Sequence, residues 1–293
     1  MNDLRQIFYC ASINFRKWFT KPKYFVIAIL VLQVNIDCFA GYTFYCVKSG
    51  SVMAPWVLSM LTTGNISLLA FSFLAILLFC DAPFLDADTA FVLIRTGKRN
   101  WVLGQLLYIF ITSLIFVLFY YLTALLVVSP VLGYASDWGA VIRLAATNLS
   151  TMMQYDLPWI PQAGVTDWVL DTFTPVQAEP LSLLLLWFST AFTGMLIFAG
   201  NLVVAPGVGS VLTGIFAVFS SCCILGQGVF ILGSWKYHMA PMLWGRLTAY
   251  SDPGMPSFSY TVPALIFAIV LLSSISAGAF CKRDLDIQKG LKK

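Results

Sequence analysis

The sequence predicts an all-α integral membrane protein. Of its 293 residues, 59% are hydrophobic and only 10% are charged, whereas a soluble domain carries roughly 25% charged residues. The chain therefore has too little charge to cover a water-facing surface of this size. Its apolar residues form long continuous runs rather than the alternating segments of about ten residues that build membrane barrels. Together these two observations predict a single helical transmembrane domain over 1–293.

The apolar runs predict six transmembrane helices. A helix needs about 20 predominantly apolar residues to span a bilayer, and six runs meet this requirement. The predicted spans are 24–46, 56–80, 102–128, 181–204, 210–235 and 260–281.

The distribution of basic residues predicts the orientation of these spans. Of the 17 Lys and Arg residues, five precede the first span, three lie between the second and third spans, and five lie between Lys282 and Lys293, counting both. Cytoplasmic flanks carry an excess of such residues. Both termini are therefore predicted to be cytoplasmic, which agrees with an even number of spans.

Residues 1–20 are predicted to form an amphipathic helix that lies in the membrane interface. Apolar side chains recur there at three- and four-residue spacing, and basic and polar residues occupy the remaining surface. The apolar positions are Leu4, Ile7, Phe8, Ala11, Phe15, Trp18 and Phe19. The alternative is a basic flank that only fixes the topology.

Two of the connections between spans are long enough to carry structure. The cytoplasmic loop 81–101 begins with acidic residues, has an apolar centre and ends with basic residues, a charge order that suits the dipole of a short helix. Gly97 is the expected end of that helix. The extracellular loop 129–180 contains five prolines and is expected to fold over the outer mouth, and a second external link is predicted over 236–259.

Hydrolytic, metal-binding and nucleotide-binding motifs are missing from the sequence. The Gly97-Lys98 pair lacks the other residues of a phosphate-binding loop. The chain contains one histidine, and its seven cysteines show no metal-ligand spacing. No basic tract lies outside the membrane flanks, so nucleic-acid binding is not predicted. We therefore expect neither an enzyme activity nor a cofactor in this chain.

A group of polar residues inside the first predicted span is a candidate translocation site. Asp37 lies about 20 Å along the helix axis, at a depth where a charge costs about 2.5–3.5 kcal/mol. Gln33 precedes it by one helical turn and Asn35 is close in sequence. These residues either line a substrate path or face a partner helix. The alternative is that Asp37 is protonated or reaches water at the outer leaflet.

The residues that enter the third span carry a resemblance to a known family. Arg95-Thr96-Gly97-Lys98-Arg99-Asn100-Trp101, followed by Gly104-Gln105, is similar to a run found in the membrane subunits of bacterial ABC exporters of the type-2 permease class. The predicted interfacial helix, six spans and structured first cytoplasmic loop also resemble that family. One departure is the large loop between spans three and four, since the better-known external elaboration of the family lies between spans five and six.

This resemblance implies an ATP-driven exporter of the bacterial plasma membrane. ATP and Mg²⁺ would bind to a separate ATP-binding subunit, and a second permease copy or a homologous permease would complete the path. The loop 81–101 would couple the two subunits. Its implied contact residues are Asp86, Asp88, Phe91, Leu93, Arg95 and Arg99.

Two other functional classes stay open at the level of sequence. A receptor or immunity module would bind an extracellular peptide or lipid through 129–180 and 236–259 without pumping. A secondary transporter would need intramembrane ion-coupling residues and repeated halves, and the sequence shows one clear intramembrane acid and no persuasive repeat. A peptide, a lipid-like molecule and a drug-like molecule are all compatible cargoes for an exporter.

Overall fold

The computed structural model describes residues 3–86, 88–225 and 232–282. In these ranges the chain is built from α-helices and short 3-10 turns, and the only strand-like pairing there is an isolated bridge between Met53 and Leu132. The helices are α1 (Asp3–Arg16), α2 (Pro22–Ser49), α3 (Asn65–Phe79), α4 (Thr89–Val128), α5 (Gly139–Thr147), α6 (Leu149–Met153), α7 (Asp167–Thr172), α8 (Pro175–Val203), α9 (Val208–Leu225), α10 (Trp235–His238) and α11 (Phe258–Lys282).

Five helices in the described ranges are long and apolar enough to cross a membrane, namely α2, α4, α8, α9 and α11. They correspond to the first, third, fourth, fifth and sixth predicted spans. The fold class is therefore confirmed as an all-α, multi-pass membrane protein. In the fifth span α9 ends at Leu225, and residues 226–231 lie outside the described part of the chain. The basic residues after Lys282, on which part of the predicted topology depends, also lie outside it.

The second predicted span is shorter than its apolar run suggested. The prediction of one helix over 56–80 is wrong for its first nine residues. Helix α3 begins only at Asn65, and a 3-10 turn occupies Leu58–Met60. The segment still extends along the whole bundle. The Met53 N–H donates to the carbonyl of Val131 beyond the end of α4 (2.9 Å), and Asp81 pairs with Lys23 at the start of α2 (2.6 Å).

The loop between α4 and α8 folds against α2. The backbone N–H groups of Gln162 and Ala163 both donate to the carbonyl of Cys38 (3.3 and 3.4 Å), and the Tyr42 hydroxyl donates to the carbonyl of Ala163 (2.6 Å). Cys38 precedes Ser49, the end of α2, by eleven residues, or about 16 Å of helix. The predicted cap over the outer mouth therefore also reaches well below the end of α2.

The link between α9 and α11, which was predicted to be external, packs into the bundle. Its residues Leu243 and Trp244 are buried, a Cβ at Gly245 would lie 2.8 Å from the Cβ of Ser189, and the Thr193 hydroxyl donates to the sulfur of Met242 (3.5 Å). Thr193 precedes Val203, the last residue of α8, by ten residues, or about 15 Å. The link thus descends between the helices, where contacts with protein rather than lipid satisfy its irregular backbone.

Candidate functional site

The N-terminal helix is fixed to the third span. Helix α1 buries Cys10 and Asn14 against α4, where Gly104 has no side chain to keep the two helices apart. The Asn14 amide donates to the side-chain oxygen of Gln105 (2.5 Å), and the Trp18 indole donates to the hydroxyl of Tyr108 (2.8 Å). The helix expected over 1–20 is therefore present over most of that range, and it is a packed element rather than a loose basic flank.

The acidic start of the loop 81–101 pairs with basic residues of the same chain. Lys17 and Lys21 both form ion pairs with Asp86, and Lys17 also donates to the carbonyl of Phe84 (3.1 Å). Lys23 pairs with Asp81. Burial by itself would raise the pKa of Asp81, but the hydrogen bond and charge of Lys23 outweigh it and hold that pKa below its ordinary value. The loop is consequently anchored to the chain that leads into α2.

The apolar centre of this loop forms the helical turns that the sequence predicts. The helix begins at Thr89, and its regular geometry is interrupted at Gly97, which has φ +80° and ψ 155°. This backbone conformation is essentially restricted to glycine. The expected end of the short helix at Gly97 is therefore confirmed. We call residues 89–96 the loop helix.

The predicted coupling residues divide into two groups on the loop helix. Phe91 is 73% exposed, whereas Leu93 is only partly exposed because it packs against the core. Ile94, which the sequence analysis did not select, is 82% exposed. It lies three positions after Phe91 and therefore shares its face of the helix.

The charged members of the predicted set are at the surface. Asp88, Arg95 and Arg99 are exposed, and Asp86 is exposed but engaged by two lysines. Phe91 and Ile94 thus form an apolar surface with charged side chains around it.

The polar residues of the first span do not form one stripe. Gln33 and Asp37 are exposed on the outer face of α2, where the Gln33 amide donates to a carboxylate oxygen of Asp37 (3.0 Å). Asn35 is fully buried on another face and donates to the carbonyl of Tyr120 (3.0 Å) and the hydroxyl of Thr123 (2.6 Å). The structure therefore brings Gln33 and Asp37 together and assigns Asn35 to the packing of α2 against α4.

One buried carboxylate was missed by the sequence analysis. Glu179, in the first turns of α8, is 9% exposed and accepts hydrogen bonds from the backbone N–H groups of Leu58 and Ser59 (3.2 Å each) and from the Ser59 hydroxyl (3.1 Å). It thereby accepts from the backbone N–H groups at the start of the 3-10 turn that interrupts the second predicted span. The sequence feature that could have identified Glu179 is its position next to Pro180, immediately before a long apolar run.

Comparisons of this chain with protein-family models, with curated proteins and with solved structures find no match. The resemblance to type-2 permeases is therefore carried by the run that begins at Arg95 and by the predicted architecture. It stays a prediction, and the functional argument rests on the geometry described above.

Proposed function

We propose that this chain is the membrane subunit of an ATP-driven ABC transporter in the bacterial plasma membrane. It would export a peptide, a lipid-like molecule or a drug-like molecule. A separate ATP-binding subunit would bind ATP and Mg²⁺ and carry out hydrolysis. The loop 81–101 would receive the resulting movement at the cytoplasmic face.

The observation that carries this proposal is the exposed pair Phe91 and Ile94 on an otherwise anchored helix. Two large apolar side chains that are 73% and 82% exposed favour a contact with a protein partner when charged residues surround them. The loop that leads into the helix is tied to Lys17, before α2, and to Lys23, in the first turn of α2. A partner that pushes on Phe91 and Ile94 would therefore act on a supported surface.

The loop helix also connects directly to the spans. It is the first part of α4, and a single break at Gly97 separates it from the rest of that helix. On its other side, the Cys10 thiol contacts the hydroxyl of Thr96 (3.6 Å). Movement of the partner subunit would consequently reach α1 and the third span, as required for a switch between inward-open and outward-open states.

The Gln33 and Asp37 pair supports assembly with a second permease copy or a homologous permease. Asp37 follows Pro22 by fifteen residues, or about 22 Å along the helix, and it faces away from its own bundle. An acid facing lipid at that depth costs about 2.5–3.5 kcal/mol. Protein or a polar path between two copies would remove this cost.

The proposed topology has six crossings with both termini in the cytoplasm. Its support is the extent of the second segment, which passes from the Met53 contact beyond α4 to the Lys23 and Asp81 pair at the start of α2. If this composite segment crosses the membrane, it adds to the five long helices to make an even number of passes.

The experiment is photo-crosslinking from the exposed apolar pair. A photoreactive phenylalanine analogue is introduced at position 91 or 94, and membranes of the source cell are irradiated. We expect a protein adduct whose mass spectrum identifies an ATPase with a Walker motif. The double variant Phe91→Asp, Ile94→Asp should lose co-purification of that ATPase.

A matched control is Tyr134→Asp, which replaces a side chain that is 89% exposed on the opposite side of the bundle. This variant should keep the ATPase. Adducts with lipid alone at positions 91 and 94, or unchanged co-purification after both aspartate substitutions, would rule out the coupling role.

A further inference from the structure

The structure contains a cavity between α1, the first cytoplasmic loop and the loop helix, and no role has yet been assigned to it. Its volume is about 610 Å³, which lies within the range of about 300–1,000 Å³ typical of small-ligand sites. We propose that this cavity binds the phosphate group of an amphiphile, with an anionic phospholipid of the inner leaflet as its principal source.

The charge of the lining favours an anion. Four basic and two acidic residues face the cavity, and one of these acids, Asp86, is shared by Lys17 and Lys21. The guanidinium groups of Arg16 and Arg95 form no hydrogen bond or ion pair with any residue in 3–86, 88–225 or 232–282. Asp88 is the other acid, so the four basic residues outnumber the two acids and the lining is positive overall.

Arg16 and Arg95 come from two different elements that pack together, α1 and the loop helix. Arg16 is the last residue of α1, and Arg95 lies near the end of the loop helix. A guanidinium presents a planar set of N–H donors that matches the oxygens of a phosphate group. Two such groups at one cavity provide the chemistry of a phosphate site without any contribution from a partner chain.

The rest of the lining suits an amphiphile rather than a fully hydrated anion. Trp101 and Phe84 are buried and contribute apolar surface, while Phe91 and Val92 line the side of the loop helix. Asn14 is also buried there, but it is already engaged by Gln105. A phosphate group near the arginines could thus be joined to glycerol and acyl carbons that lie against the aromatic side chains.

The position of α1 identifies the membrane as the source. Leu4 and Phe8 expose large apolar side chains on α1, as expected for a helix embedded at the headgroup level. The inner leaflet of a plasma membrane also supplies anionic lipids. This inference requires the proposed topology but does not depend on an ATP-binding partner.

The test compares lipid retention between two charge-matched double variants. Arg16→Gln, Arg95→Gln removes the two cavity arginines, and Arg5→Gln, Arg99→Gln removes the same charge from residues that do not line the cavity. Each protein is placed in nanodiscs of equimolar phosphatidylglycerol and phosphatidylcholine, extracted in detergent, and analysed for bound lipid by native mass spectrometry.

We expect the unmodified protein to retain phosphatidylglycerol preferentially. The cavity variant should lower that preference by roughly 30-fold, on the basis of two basic residues acting close to an anionic headgroup. The control variant should keep it. A second arm adds inorganic phosphate to lipid-depleted protein and measures the thermal unfolding temperature, and stabilisation that is lost in the cavity variant would assign the phosphate to a soluble source.

Three results would overturn the proposal. Equal loss of the preference for phosphatidylglycerol in both double variants would mean that the lipid is attracted by the basic surface in general and not by the cavity. The absence of both lipid preference and phosphate stabilisation would mean that the cavity binds no phosphate. Loss of ATPase co-purification in the cavity variant with intact lipid preference would assign the arginines to a protein contact instead.

Discussion

The contact between α1 and α4 provides a sharp test because one hydrogen atom of Gly104 separates the two helices. A Cβ at Gly104 would lie 2.4 Å from the Cβ of Cys10 and 2.9 Å from the carbonyl oxygen of Ile7. Since carbon atoms normally approach to about 3.5–4.0 Å, Gly104→Ala requires α1 to withdraw by about 1 Å. Such overpacking costs about 1–3 kcal/mol, offset by about 1 kcal/mol of helix propensity.

The matched control is Gly214→Ala in α9, where an added Cβ meets no atom within 4 Å. Here only the propensity gain of up to about 1 kcal/mol applies. The two glycine-to-alanine changes are therefore expected to have opposite effects on the free energy of unfolding.

The assay is the alkylation rate of Cys10, which is 1% exposed, in a background that lacks the other six of the seven cysteines. A net loss of up to about 2 kcal/mol in docking should increase the rate by up to about 30-fold. Gly214→Ala should leave the rate unchanged. Equal alkylation rates in both variants, with Gly104→Ala as stable as Gly214→Ala, would refute this account of the α1 contact.

Two further predictions concern carboxylates at opposite ends of the bundle. Glu179→Gln should lower the free energy of unfolding by about 1–3 kcal/mol, because an amide N–H₂ would face buried donors. Denaturant titration in detergent checks this, with exposed Asp167→Asn as a control that should have little effect. Asp81→Asn should reduce stability at neutral pH, because the lowered pKa of Asp81 stabilises the folded state above the ordinary carboxyl pKa. The difference from the unmodified protein should vanish as pH falls through that lowered pKa, and a difference that is constant with pH in thermal unfolding would contradict the role of Lys23.

The helices that could be predicted are those in which local sequence and packing agree. Apolar runs identified the five long helices, and the three- to four-residue spacing identified α1. The sequence also indicated the break at Gly97, because the change from apolar to basic residues coincides with a glycine. These signals act within one or two helical turns and need no knowledge of distant contacts.

The irregular buried segments could not be predicted in the same way. Hydropathy assigns a buried segment and a lipid-facing helix the same value, yet only the helix satisfies its own backbone. Residues 56–64 depart from a helix where Glu179, 120 positions away from Ser59, accepts their N–H groups. The link that contains Met242 likewise depends on α8. Neither contact is visible within a window of neighbouring residues.

Some features of the candidate site could be predicted from the sequence, and others could not. Helical geometry alone separates Asn35 from Gln33 by about 200° around the axis, whereas Asp37 is only about 40° from Gln33. The spacing of these residues therefore predicts that Asn35 lies on a different face from Gln33 and Asp37. The same reasoning pairs Ile94 with Phe91. The partial burial of Leu93, by contrast, depends on packing against other elements.

Helix α1 bridges the break at Gly97, and this determines how the loop helix can move. The Cys10 thiol contacts Thr96 before the break, while Gln6 accepts from the Asn100 amide after it (2.6 Å). Gly97 therefore cannot bend freely while α1 stays docked, since any change of angle would disrupt one of these contacts. The loop helix and the rest of α4 should then move as one rigid unit, and release of α1 would convert Gly97 into a hinge. The coupling proposed here consequently depends on α1 as much as on the exposed pair itself.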